Sequence, residues 1–215
     1  MNSNHTPRIT AQPFNLAAVL AAPMLSGLLL LAGPAPALAQ AKPKAEPKVE
    51  PKAERARAAP LGIEIGSSTC QAVAERFGVA VGRDPAHASL ARVPLPNPAA
   101  HYPGAESIQA WCSAPTAPVV LLTLSVDKGG LGNPASREAY ANLQAKYRRV
   151  AGGPPPGVGD GYARFEGGDT VIELRAPHLS FSFELSYFTR AVYQQAQTNQ
   201  QAAQQREAQA RRDGL

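Results

Sequence analysis

"GYARFEGGDTVIELR", Gly161 to Arg175, and then "LSFSFELSY", Leu179 to Tyr187, are the stretches on which the fold turns. Two strand-like runs flank Gly167-Gly168, a pairing that suits a two-residue primed turn and therefore a β-hairpin. The run that follows alternates strictly. Leu179, Phe181, Phe183, Leu185 and Tyr187 line one face, and Ser180, Ser182, Glu184 and Ser186 the other. A period of two with one polar face is the pattern of a half-buried antiparallel strand.

Working outward, "PVVLLTLSV" is the most apolar run of the folded part and predicts a central strand over 119–126. "ESIQAWC" alternates too, with Ile108, Ala110 and Cys112 on one face and Gln109 and Trp111 on the other. Between His87 and Gly104 the prolines leave room for one edge strand, over 89–93, because proline cannot donate to a ladder.

Two segments change period from two to 3.6. In "SSTCQAVAERFG", Ser67 to Gly78, Ser68 and Gln71 make a capping-box pattern. Cys70, Val73, Ala74 and Phe77 then share one helical face, and Gly78 suits the left-handed position after a helix. A helix is predicted over 69–77, with Cys70 facing inward. A second helix opens at Asn133-Pro134 and carries Tyr140, Leu143, Tyr147 and Val150 on its stripe. It is predicted to end at Gly152-Gly153. The order helix, strands, helix, strands gives an α+β, two-layer domain, an antiparallel sheet with helices on one face. Val73 and Phe77 match Leu143 and Tyr147 in spacing, so the two halves read as a diverged duplication.

The ends are different material. Residues 1–39 read as a signal peptide: Arg8, an apolar stretch from Leu16 to Ala32, and cleavage after Ala37-Leu38-Ala39, so that Gln40 becomes the first residue. Residues 40–60 hold prolines at Pro43, Pro47 and Pro51 with Lys and Glu between them, a disordered linker with no means of burying a core. Extended, it reaches on the order of 60 Å. Residues 61–188 are the folded domain. Residues 189–215 form a Gln/Ala-rich C-terminal helix or tail, anchored near Ala191 to Ala196.

The chain carries 21 basic and 16 acidic residues, but from Ala58 to Phe188 there are ten basic and eleven acidic. The positive charge sits on the ends, so a nucleic-acid-binding face on the domain is not indicated. An exported chain with an even cysteine count predicts one disulfide, Cys70 to Cys112, pinning the first helix to the sheet.

Signatures of chemistry are missing. Gly62 and Gly66 enclose three residues rather than four, and Ser67 stands where a phosphate loop needs lysine. His87, His101 and His178 show no ligand spacing, so no metal and no cofactor is expected. No serine-nucleophile elbow is present. Glu173 and Glu184 fall on the polar faces of strands, where solvated charges are normal, and Asp160 and Asp169 sit at hairpin ends, where Asp is a turn residue. Trp111 and Tyr102 are the aromatic residues best suited to touch a ligand, and core or edge packing explains them as well.

Ser67 to Gly78 is similar to the helix of small envelope proteins of the BamE/SmpA type; Thr69, Val73, Phe77 and Gly78 carry the likeness. The paired helix-then-strands halves also look like β-lactamase-inhibitor-type two-layer domains. Both resemblances imply binding or assembly without catalysis. The expectation is an exported, non-enzymatic periplasmic protein that binds another envelope protein or envelope component, with no stable membrane insertion after cleavage. One alternative is a cell-wall hydrolase recruiting Glu173, Glu184 or His178. The other is an inner-membrane-anchored spacer protein that keeps its N-terminal segment. Ligand and oligomeric state are not written in the sequence.

Overall fold

The structure is a computed structural model; it describes residues 57–83 and 90–213. The predicted signal peptide, the Ala39-Gln40 junction, most of the linker and His87 lie outside the described residues.

The predicted hairpin is present. β6 (Gly161–Gly167) pairs with β7 (Thr170–Ala176), and β7 pairs with β8 (Ser182–Thr189), all antiparallel. Gly167 pairs with Thr170, so Gly168-Asp169 makes the turn, one residue later than expected. Gly168 supplies the positive φ, 55°, that the turn needs. Phe165, Ile172, Leu174, Phe183 and Leu185 point to one side and are buried. Each contributes roughly 1.5–3 kcal/mol by leaving water.

The rest follows the same logic. Helix α1 (Cys70–Phe77) precedes β1 (Gly82–Arg83), β2 (Ala91–Pro94), a short α2 (Pro98–His101), β3 (Ala105–Cys112) and β4 (Val119–Asp127). Helix α3 (Pro134–Lys146) precedes β5 (Arg148–Gly152) and then β6, β7 and β8; α4 (Arg190–Asp213) closes the described chain. The sheet order is β1-β2-β3-β4-β8-β7-β6-β5. Each half is therefore a helix followed by a four-stranded meander, and the halves meet at the antiparallel β4–β8 pair. This is an α+β fold in which the order of helix and four strands occurs twice; the spacing match does not carry over, because Phe77 is in α1 whereas Tyr147 lies beyond the end of α3. The first half adds α2.

Cys70, Val73 and Ala74 of α1 and Ala139, Tyr140 and Leu143 of α3 share the large core with Ile108, Leu124 and Phe165 on one face of the sheet. The Cys70 and Cys112 sulfurs are 2.14 Å apart, with both residues fully buried. Val192 and Tyr193 of α4 pack with Leu121, Val171 and Phe188 in a second, smaller cluster. Leu121 alternates with Leu122, and Phe188 with Tyr187, so this cluster is on the opposite face. The two predicted helices cover one face, and the segment read as a tail covers part of the other. It is anchored at Val192, Tyr193 and Ala196, and it continues as helix to Asp213.

Several local expectations are corrected. Thr69, not Ser68, caps α1: its Oγ1 accepts from Ala72 N–H at 3.1 Å, while Ser68 Oγ is taken by Glu64 N–H at 3.0 Å. The second helix stops at Lys146; Arg148–Gly152 instead adds an edge strand to β6, because pairing satisfies its backbone groups. β2 is not the edge, since β1 pairs outside it. Ala58 is already buried and its carbonyl accepts from Ile65 N–H, so packing begins just before Leu61. The correction with most consequence concerns the opening stretch. β8 starts at Ser182, so Leu179 and Phe181, expected inside, are exposed.

Candidate functional site

Two places concentrate side chains of chemical interest. The first lies on the sheet face beneath α4. Alternation along β6, β7 and β8 sets Tyr162, Arg164, Glu173, Arg175, Glu184 and Ser186 side by side, with Arg164 opposite Glu173 and Arg175 opposite Glu184. Glu173, expected to be a solvated charge, is 1% exposed. α4 covers it. Its carboxylate accepts from Tyr162 Oη at 2.7 Å, from Tyr193 Oη at 2.9 Å, and from Arg175 Nε and Nη2 at 3.0 and 2.6 Å. Arg164 and Gln197 in turn donate to the Tyr193 hydroxyl, at 2.8 and 3.2 Å. Burial first, and then the hydrogen bond and charge of Glu173, hold the Tyr162 phenol well above its ordinary range.

Every acceptor position of Glu173 is thus in use, which makes it an anchor for α4 rather than a free base. Glu184 is exposed and accepts from Ser186 Oγ. His178 is elsewhere, in the loop after β7, where its backbone N–H donates to Asp160 Oδ1 at 2.7 Å. The three residues of the hydrolase alternative are therefore not gathered in one cleft. Tyr102 packs against the large core and Trp111 against the smaller cluster; neither lines the cleft described next. Among the described residues, no group of three or more His, Cys, Asp or Glu is placed to hold a metal ion.

The neighbouring Glu166 ties α4 to the sheet edge, receiving Arg190 at 3.1 Å and also Arg148. Partial burial opposes its ionisation. The hydrogen bond and charge of Arg190, followed by those of Arg148, more than offset that and hold its carboxyl below the ordinary range. A depressed folded-state value stabilises the fold above the unfolded value, about 4.3, and that contribution is lost as pH falls through the folded value. Glu166→Gln is therefore expected to flatten the acid limb of stability. Urea midpoints measured near neutrality and in acid check it; an unchanged slope would contradict the pairing.

The second place is the end of the sheet where β4 and β6 through β8 meet their loops. Asp127, Lys128, Leu131, Asn133, Val158, His178 and Phe181 are among the residues that enclose a cleft of about 480 Å³. Its walls come from three loops: β4–α3, β5–β6 and β7–β8. They are braced against one another. Asn133 Nδ2 donates to Pro156 O at 2.8 Å, Gly159 N–H donates to His178 Nδ1 at 3.0 Å, and Lys128 N–H donates to Phe181 O at 2.9 Å. The buried Lys128 ammonium donates to Pro177 O. Burial draws its pKa below the usual lysine range, with Asp160 acting in the opposite direction. On this braced frame Leu131 is 103% exposed, Val158 78%, Leu179 92% and Phe181 90%.

Sequence reasoning missed this apolar end, having placed Leu179 and Phe181 in the core. The signal that could have found it is the break after Ala176: Pro177 interrupts the ladder, and polar Ser180 and Ser182 then begin the strand late. Neither a family model, nor a curated protein, nor a solved structure matches this chain.

Proposed function

We propose that this chain is an exported, non-enzymatic envelope protein that binds another protein through its apolar loop end. One observation carries the reading. Four large apolar side chains stand exposed on loops that are hydrogen-bonded to each other. Three of them, Leu131, Val158 and Phe181, line one cleft; exposed apolar side chains gathered in this way mark interaction sites, and a braced frame lowers the ordering cost of binding. The saturated Glu173 supports binding over catalysis. The disulfide suits an oxidising compartment, and the likeness of Ser67–Gly78 to envelope-assembly helices agrees with it.

The test is comparative capture from an envelope extract. Phe181→Asp and Leu179→Asp are expected to reduce the specifically retained protein at least about tenfold, the equivalent of about 1.4 kcal/mol or more. Urea midpoints should stay within about 0.5 kcal/mol of the parent, since both side chains are exposed. Capture that is indifferent to both substitutions, or turnover of a cell-wall substrate that persists through purification, would refute the proposal.

A further inference from the structure

The loop end carries both projections and a recess. Leu131, Val158 and Phe181 project from it and also line the cleft between them. We infer that this face is closed by a second copy of the chain, in a twofold dimer in which Phe181 of each copy enters the cleft of the other. The inference rests on the reading of the loop end as a protein-contact surface and names its partner.

Shape is the first argument. A twofold interface uses the same patch on both copies, so the patch must be complementary to itself. Knob and hole on one face meet that condition. A cleft of about 480 Å³ is large enough to receive a phenyl ring.

Area is the second. A fully exposed Leu or Phe removes on the order of 100 Å² of apolar surface when buried. Leu131, Val158 and Phe181 from each copy give roughly 600 Å² before the cleft walls are counted, and a specific interface needs about 1,000 Å². The expected dimer is therefore modest, on the order of micromolar.

Charge separates this occupant from a lipid surface. Lys128 is turned inward to Pro177, and Asp127 and Asp160 bond to loop backbone at 2.6 and 2.7 Å. An end with two carboxylates and one buried ammonium lacks the basic cluster that anionic headgroups attract.

Sedimentation velocity on the purified protein, from about 1 to about 100 µM to bracket that affinity, is expected to show monomer passing to dimer. Phe181→Asp should move the midpoint at least about tenfold higher. Leu131→Asp, on a different loop, should do the same independently, with the urea midpoint of each variant as the folding control. Monomer across the whole range overturns the dimer, as does a dimer indifferent to both substitutions. If the protein stays monomeric while Phe181→Asp still abolishes envelope capture, the partner assignment fails and the protein-contact reading stands. Monomer with capture unchanged removes both. Flotation of the monomer with vesicles of mixed zwitterionic and anionic lipid, lost in Phe181→Asp, also overturns the inference in favour of a lipid surface.

Discussion

Glu173→Ala is expected to lower stability by about 3 kcal/mol and to loosen α4 from the sheet. Removing one member of a buried ion pair costs roughly 3–5 kcal/mol when the other charge is left uncompensated. Here the lower end applies. Arg175 keeps 42% of its side chain exposed and can rehydrate, whereas Tyr193 is buried and loses its acceptor. Arg164 and Gln197 can still donate to the Tyr193 oxygen, but its own proton then has no buried partner.

The helix should respond first. After Ala196, α4 has little apolar surface to hold it down, since Gln200 to Asp213 are largely exposed. Hydrogen exchange across Arg190–Asp213 should accelerate more than exchange in β7. The isosteric Glu173→Gln keeps the shape, and its cost should be smaller. It should also lower the Tyr162 pKa, by removing the charge that adds to burial, which an absorbance titration would detect. A loss below about 1 kcal/mol in Glu173→Ala, typical of an exposed pair, would show that the cluster does not anchor the helix.

The regular part of the fold was legible because period and position agreed there. In β3, β4 and the hairpin, every second side chain is apolar and the breakers stand between the runs. Cys70 and Cys112 each sat on a predicted inward face, and the two faces meet. What failed was decided by partners distant in sequence. Arg148–Gly152 continues a helical stripe in isolation, yet an open sheet edge at β6 captures it. Glu173 obeys the alternation and points to the polar face as expected; only the arrival of α4 from the C-terminal segment makes that face an interior. Leu179 and Phe181 obey the same alternation but precede the first residue of β8, so period alone could not tell core from rim. The candidate site arises from that last failure. Three loops far apart in sequence build it, and no single one announces it.

Loss of the Cys70–Cys112 bond is the other large effect expected. The two residues are 42 positions apart, and closing a loop of that length contributes about 4 kcal/mol in the chain-entropy model, against typical measured values of 2–4 kcal/mol. The double variant Cys70→Ala/Cys112→Ala should therefore lose about 2–4 kcal/mol by urea denaturation. The loss should be felt unevenly. α1 has eight residues, below the length at which a helix persists alone in water. Apart from the disulfide it is held by Val73 and Ala74 in the core, the Thr69–Pro118 bridge, the Thr69 cap, the backbone bonds from Cys70 and Gln71 to Ala117 and Pro115, and the Arg76 side chain on Gly62 O. Its amides should exchange early, while β6–β8, which the bond does not touch, keep their protection. Reductant alone should act slowly on the native protein, because both sulfurs belong to fully buried residues and a thiolate must reach them. Adding urea below the unfolding midpoint should speed reduction in step with the opening of α1. Rapid reduction without denaturant, or a double variant within about 1 kcal/mol of the parent, would mean that packing alone fixes α1 and that the bond merely records its position.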